Sequence, residues 1–367
     1  MQQKSIWTKL PLAMLVAAIL FAATGTATQQ NEDPPPSLVE QALDASFNDV
    51  GIPPIAETVA FWKARTDADP ADYLSRVRLA RAVMTLAQQT GDLSQYDVAE
   101  QILGEALALN PRGTDATLAL GAAKAANHDF RGSLDLARQV LAREPGSDAA
   151  RLAIADDNFE LGNYDEARRE LAELAATSPE DIGIMSRQAK QASIQGRNDV
   201  AVTLAAQAVV AAADLDMGRS EAAFYRFQLA YFLHRAGRIG EALDAVDRGL
   251  AIDPGHRASK ELRAQILVSL GRLYDAATAY EAILSVSPAA DLHGALAKVY
   301  RALGRGADAN AELAKGRELG RAQLGLYPAE RRHLAGFFAD VEPATALTAA
   351  LADFDTRRDV GAYDTLA

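Results

Sequence analysis

Apolar residues follow a helical period through most of the chain, and the segment from Ala149 to Pro179 shows the repeating unit most clearly. The first half of this segment, up to Leu161, places apolar side chains at helical spacing. The second half resumes the same period after Gly162 and stops at Pro179. Glycine adopts positive φ at little cost, so Gly162 suits a helix C-terminus. The pattern predicts a hairpin of two helices joined by a short elbow.

Prolines repeat this hairpin along the chain. Pro111, Pro145 and Pro179 follow one another at equal intervals of about 34 residues, whereas the interval from Pro70 to Pro111 is longer by about two helical turns. The gap from Pro179 to Pro254 holds one copy of each length, with Ala213 at the missing position. Counted with the proline at position 32, a glycine recurs at position 15 and an alanine at position 20: Gly162, Gly196, Gly237 and Gly271, then Ala167, Ala201, Ala242 and Ala276. Seven copies are in phase, which predicts an array of hairpins.

This register resembles that of the tetratricopeptide repeat, whose period is about 34 residues. Leu120 and Gly121 supply the Leu-Gly pair of that family, and the resemblance covers residues 55–320, with a weaker continuation beyond. The sequence departs from the family in having no tryptophan at position 4, and in having Ser133 and Ala137 where an alanine and an aromatic residue are expected. The resemblance implies an all-α fold, a right-handed α-solenoid of stacked helix-turn-helix repeats. The first helices of its repeats would line a concave groove.

Two copies are longer, at about 41 residues each, and the extra residues form either longer helices or a loop. Apolar residues continue without a breaker between Ala71 and Gln89, which favours longer helices in the first long copy. The second extension, residues 208–223, contains Asp214 and Gly218, so a loop remains the alternative there.

The N-terminus has the pattern of a secretory leader. Lys4 and Lys9 precede an apolar run of about 14 residues and then small residues. This run is shorter than the ~20 residues that span a bilayer, and we expect cleavage after Ala27. The sequence thus predicts a signal peptide at 1–27 and an exported protein, periplasmic or secreted, that contacts the membrane only through its leader. A chain without cysteine has neither a lipoprotein anchor nor disulfides.

Irregular segments flank the array on both sides. Residues 28–54 are predicted to be a linker with a short helix from Leu38 to Phe47. Residues 321–367 are predicted to form an irregular hairpin and then the start of a further repeat at Val360. A helix of eight residues is too short to be stable alone. We therefore expect this end to fray, or the natural chain to continue beyond Ala367.

Charge and motifs argue against several functions. A net charge of −12 and a pI near 5.0 imply repulsion from phosphate backbones, so no nucleic acid is expected as a partner. No metalloprotease, hydrolase or phosphate-loop motif is present. The pairs Asp156 with Asp157 and Asp165 with Glu166 are interpreted as solvated helix surfaces. The sequence predicts a protein that is not an enzyme and uses no metal and no small-molecule cofactor.

Recognition of a protein or peptide is the remaining function. The resemblance implies that positions 2, 5, 9 and 12 of each first helix face the groove. In the copy ending at Pro254 these positions hold aromatic side chains along one helix face: Phe224, Phe227, Tyr231 and His234. We predict that they form a partner-binding groove; alternatively, residues 208–223 cover them and make them core.

The favoured function is an exported, non-enzymatic scaffold that binds a protein or peptide segment in its groove. The alternatives are a targeting or accessory subunit of an envelope enzyme and a structural spacer. One branch of the family grips a C-terminal carboxylate with lysine, arginine and asparagine. The groove positions offer only scattered cations for this, namely Lys190, Lys298 and Arg301, and that branch is not favoured.

Overall fold

The computed structural model describes residues 36–47, 53–215 and 217–367. In these ranges the chain forms 19 α-helices and no strand, all within Leu38–Ala367, the second of two units after Met1–Ser37. A 3-10 helix, Pro328–Glu330, precedes the third helix from the end. The α-helices are α1 Leu38–Asp44, α2 Ile55–Ala68, α3 Tyr73–Thr90, α4 Ser94–Leu109, α5 Thr114–Ala126, α6 Phe130–Arg143, α7 Asp148–Glu160, α8 Tyr164–Thr177, α9 Ile182–Ile194, α10 Asn198–Asp214, α11 Arg219–Arg235, α12 Ile239–Ile252, α13 Arg257–Ser269, α14 Leu273–Val286, α15 Ala290–Ala302, α16 Gly306–Gln323, α17 Arg331–Ala339, α18 Pro343–Thr356 and α19 Val360–Leu366.

From α2 onward, each helix packs against the next, so the chain is a stack of hairpins. The first helices are the odd-numbered ones from α3, and the second helices are the even-numbered ones. The four predicted elbow glycines have φ between 69° and 81°, as a helix C-terminus in the left-handed region requires. The alanines at position 20, such as Ala167 and Ala242, are fully buried between paired helices. The predicted all-α solenoid is confirmed.

The extra residues of the long copies are helical. Helix α3 has 18 residues and α4 has 16 residues, while α10 and α11 have 17 residues each. The helices of the copies between and after them, α5 to α9 and α12 to α15, have 13 or 14 residues. Helix α10 ends at Asp214 and α11 begins at Arg219. The second extension therefore lengthens the helices on both sides of the junction.

Copies that are five or six apart in sequence also touch. Helix α3 contacts α13, and the elbow residue Gly91, with φ 72°, lies against Arg257 and Ser287. A Cβ at this glycine would lie 2.7 Å from Oγ of Ser287. Farther along the chain, the backbone N–H of Val360 donates to the Tyr164 hydroxyl at 2.7 Å. These contacts join successive turns of the superhelix.

The short final helix α19 is capped at its start. The carboxylate of Asp359 accepts a hydrogen bond from the N–H of Ala362 at 2.9 Å and thereby caps the helix. The same carboxylate pairs with Arg332, which also reaches the buried Asp353 at 3.2 Å. Partners from α17 and from the earlier elbow at Tyr164 supply the stabilisation that an isolated helix of seven residues lacks.

Helix α1 docks on the outer side of the array, against the second helices α10 and α12. Its apolar face, with Val39 and Leu43, is buried in the same core as those helices. Arg226 of α11 is 2% exposed and donates to the carbonyl oxygens of Leu43 and Ala45. Arg248 donates to the Leu43 carbonyl at 2.7 Å. Two guanidinium groups thus satisfy the C-terminal carbonyls of α1, where positive charge is favourable.

Candidate functional site

The four aromatic residues predicted for the groove lie along one face of α11. Phe224 is 42% exposed and Tyr231 is 39% exposed, whereas Phe227 and His234 are half-buried. The opposite face carries Leu229 and packs into the core. Because their spacing is i, i+3, i+7 and i+10, the four side chains form a single stripe.

The two half-buried members of the stripe have neighbours in α13 and at its N-cap. The ring of Phe227 lies 5.6 Å from that of His256 and 6.4 Å from that of Tyr231. The His234 Nε2 lies 2.9 Å from Oγ of Ser269, and burial lowers the pKa of His234. These two rings therefore support the array as well as bordering the groove, while Phe224 and Tyr231 are open to a ligand.

A cavity of about 480 Å³ lies beside the stripe, between α3, α11 and α13. All three are first helices, so the cavity is on the inner side of the array, where helices of separate copies face one another. Its volume is in the range of roughly 300 to 1,000 Å³ typical of ligand pockets. The lining residues are Thr85, Gln88, Gln89, Glu221, Phe224, Phe227, Asp253, His256, Arg257, Ala258 and Glu261.

A second cavity, of about 560 Å³, lies on the other side of Phe224, between α7, α9 and α11. Its cations are engaged with carboxylates. Arg187 binds both oxygens of Asp156, at 2.8 and 2.6 Å, and the Lys190 ammonium lies 2.6 Å from Glu160. Phe224 thus separates two inner cavities that a single extended segment could span.

Asp157, which borders the second cavity, was wrongly interpreted as solvated. Its side chain is 2% exposed, and its Oδ2 has no hydrogen-bond partner. Burial raises the pKa of Asp157 to about 7, and a hydrogen bond with Ser133 acts in the opposite direction. The sequence signal was Ser133 itself, a hydroxyl at the position where most other copies have alanine.

His128 also borders this cavity and was not singled out from the sequence. It occupies the elbow position that holds glycine in other copies, with φ 63°, and its ring stacks on Phe130 at 5.2 Å. Burial lowers the pKa of His128 to about 3, and its Nδ1 has no hydrogen-bond partner. A histidine in place of an elbow glycine is the signal that could have marked it.

Two other kinds of site are absent from the part of the chain that the structure describes. Residues 36–47, 53–215 and 217–367 contain no cluster of three or more His, Asp or Glu side chains arranged to hold a metal ion. In the same part of the chain, every helix is too short or too polar to cross a bilayer. The predicted leader, 1–27, lies outside the described residues.

Comparisons with known proteins agree with the repeat register. A family model described as tetratricopeptide repeat matches residues 124–184. Among solved structures, the APC/C hetero-tetramer Cut9-Hcn1 is similar, with 16% sequence identity and a TM-score of 0.51. The match covers 85% of this chain and 66% of that chain, so this chain spans slightly less than two thirds of the length of that protein. The human IFIT1 dimer with m7Gppp-AAAA is similar with 12% identity over 82% of this chain and 76% of that chain, and a TM-score of 0.57.

A tetratricopeptide repeat protein from Parabacteroides merdae ATCC 43184 also matches, with 17% identity over 68% of this chain and 93% of that chain, and a TM-score of 0.45. Comparison with curated proteins gave no match. The resemblance to the tetratricopeptide repeat that the glycine, alanine and proline register predicted is confirmed, with the family match itself covering residues 124–184.

Proposed function

We propose that this protein is an exported, non-enzymatic scaffold that binds a protein or peptide segment along the inner face of α11. The observation that carries the proposal is the exposure of Phe224 and Tyr231 beside a cavity on the inner side of the array. Interfaces derive much of their binding energy from a few such aromatic residues. Elsewhere in the array the residues at the same positions are mostly small, polar or aliphatic.

Charge favours a protein over a nucleic acid as the partner. The net charge of −12 repels phosphate, and the cavity beside α11 is lined by three carboxylates against one guanidinium. We therefore do not extend to this chain the capped oligonucleotide that accompanies human IFIT1.

Export is proposed from the sequence of residues 1–27. N-terminal sequencing of material recovered outside the cytoplasm should give a start near Thr28. Retention of Met1–Ala27 on membranes that resist salt washing would show an anchored protein instead.

The binding proposal is tested by alanine variants of the exposed rings. Phe224→Ala and Tyr231→Ala are each compared with Tyr274→Ala, which removes a 73% exposed ring from the second helix α14. Truncation of a central aromatic contact costs on the order of 2 kcal/mol, or about 30-fold in affinity. We expect loss of partner capture from an envelope extract for the first two variants only, with melting temperatures unchanged.

Equal capture by all three variants would refute the proposal. The identity of what is captured separates it from its rivals. One hydrolase or transferase at equal stoichiometry would indicate an accessory subunit of an enzyme, and recovery of nothing by the parent protein would indicate a spacer.

A further inference from the structure

The cavity between α3, α11 and α13 is acidic. Glu221, Asp253 and Glu261 line it, and Arg257 is the cation opposite them among the described lining residues. The remaining titratable lining residue, His256, has a pKa lowered by burial, which favours its neutral form. Three carboxyl groups and one guanidinium give the lining a formal charge of about −2, and because burial raises the pKa of Glu261, the negative charge offered to a ligand is that of Glu221 and Asp253.

The single guanidinium in this wall is already engaged. Arg257 lies 3.0 Å from Glu261, and its Cζ would be 2.9 Å from a Cβ placed on Gly91. It thus lies at the contact between superhelical turns, with Ser287 on the same side. An anionic ligand would have to compete with a carboxylate for this arginine, whereas a cationic ligand would meet Glu221 and Asp253.

Three cations elsewhere along the inner face are likewise paired. Lys190 binds Glu160, Arg187 binds Asp156, and Lys298 lies 2.9 Å from Asp340. A groove that grips an acidic segment would need such cations to be available. Their pairing argues against an acidic ligand.

The uncharged walls of the cavity suit a long basic side chain. Phe224 and Phe227 form an aromatic wall, which attracts a cation by its π face and packs against an alkyl stem. Thr85, Gln88 and Gln89 of α3 form the facing wall and offer hydrogen bonds to a peptide backbone. Among protein side chains, lysine and arginine combine an apolar stem with a positive end.

We propose that the bound segment inserts a lysine or arginine side chain into the cavity between α3, α11 and α13, with its stem against Phe224 and Phe227 and its charge beside Glu221 and Asp253. This inference rests on the proposed function, since it names the chemical class of ligand for the same groove. The net charge of −12 on this chain favours a segment that is basic beyond this one side chain.

The test uses a phage-displayed library of random twelve-residue peptides selected on the purified protein. Affinities of selected peptides are measured by fluorescence anisotropy. The key variant is Glu221→Gln with Asp253→Asn, because asparagine keeps an acceptor for the 2.8 Å bond from the N–H of Gly255 and the Arg257 pair is untouched. The control, Asp165→Asn with Glu166→Gln, removes the same charge from an exposed surface of α8.

We expect selected peptides to be enriched in lysine and arginine. Replacing the conserved basic residue of a selected peptide by glutamine should weaken binding roughly tenfold, and so should the Glu221 and Asp253 variant, whereas the control should not. Binding should also weaken at high salt. The melting temperature of each variant verifies that it is folded.

The possible failures are distinguishable. Peptides that bind with no basic enrichment, but lose binding in Tyr231→Ala, would overturn the basic-ligand inference and leave the proposed function intact. Peptides that bind equally well to Phe224→Ala and Tyr231→Ala, or a selection that yields no binder, would overturn both.

Discussion

Asp157 should make the protein less stable as pH rises. Its carboxyl group on α7 is 2% exposed, and burial raises its pKa from 3.8 to about 7, with Asp156 and Glu160 adding repulsion. In the unfolded chain the same carboxyl ionises near its ordinary value. Between these two pH values the folded state keeps a proton that the unfolded state loses, so stability falls as pH rises and levels off above about 7.

The size of the effect follows from this interval. At 1.36 kcal/mol per pH unit, the interval from 3.8 to about 7 sets a ceiling of about 4 kcal/mol on the free energy lost. Asparagine resembles the protonated carboxyl in shape and carries no charge. Asp157→Asn should therefore be more stable than the parent at pH 8, with a gain that shrinks towards zero near pH 4.

Urea unfolding of the parent and the variant at several pH values between 4 and 8 measures this difference. Asp165→Asn is the control, since the side chain of Asp165 is 82% exposed and its replacement should give a small difference at every pH. A stability difference between Asp157→Asn and the parent that does not change with pH would refute the reasoning.

Two further predictions concern packing. Gly91→Ala and Gly237→Ala both place alanine at positive φ, which costs about 1 kcal/mol of stability. Gly91 lies against Ser287 and Arg257, whereas Gly237 has open space around it. The Gly91→Ala variant should therefore have the lower melting temperature. Equal melting temperatures of the two variants would show that Gly91 makes no close contact between turns of the superhelix. Arg226→Met should lower the free energy of unfolding by about 2 kcal/mol, because it leaves the Leu43 and Ala45 carbonyls with fewer hydrogen-bond donors. The same variant should be cleaved faster by protease on the N-terminal side of residue 55. An unchanged rate of cleavage would count against the docking of α1.

The helices and their pairing could be predicted because their signals are local. A glycine such as Gly162 ends one helix, an alanine such as Ala167 allows the next to pack closely, and both recur in register. The face of α11 that carries Phe224 and Tyr231 was predictable for the same reason, since helical spacing alone places them together.

What escaped prediction depends on contacts between distant parts of the chain. Spacing within a copy does not reveal that α3 forms the far wall of the cavity beside α11, or that Tyr164 holds the start of α19. The docking of α1 depends on Arg226, which reaches it from α11, and no pattern within residues 38–47 indicates that partner. The burial of Asp157 likewise depends on where α6 places Ser133.

Site-specific photo-crosslinking tests the central claim most directly. Benzoylphenylalanine is introduced in place of Tyr231 on the inner face of α11 and, separately, in place of Tyr274 on α14, and each protein is irradiated in an envelope extract. The account predicts a light-dependent adduct with one protein partner at position 231 and none at position 274. An adduct at position 274 with none at position 231 would contradict it.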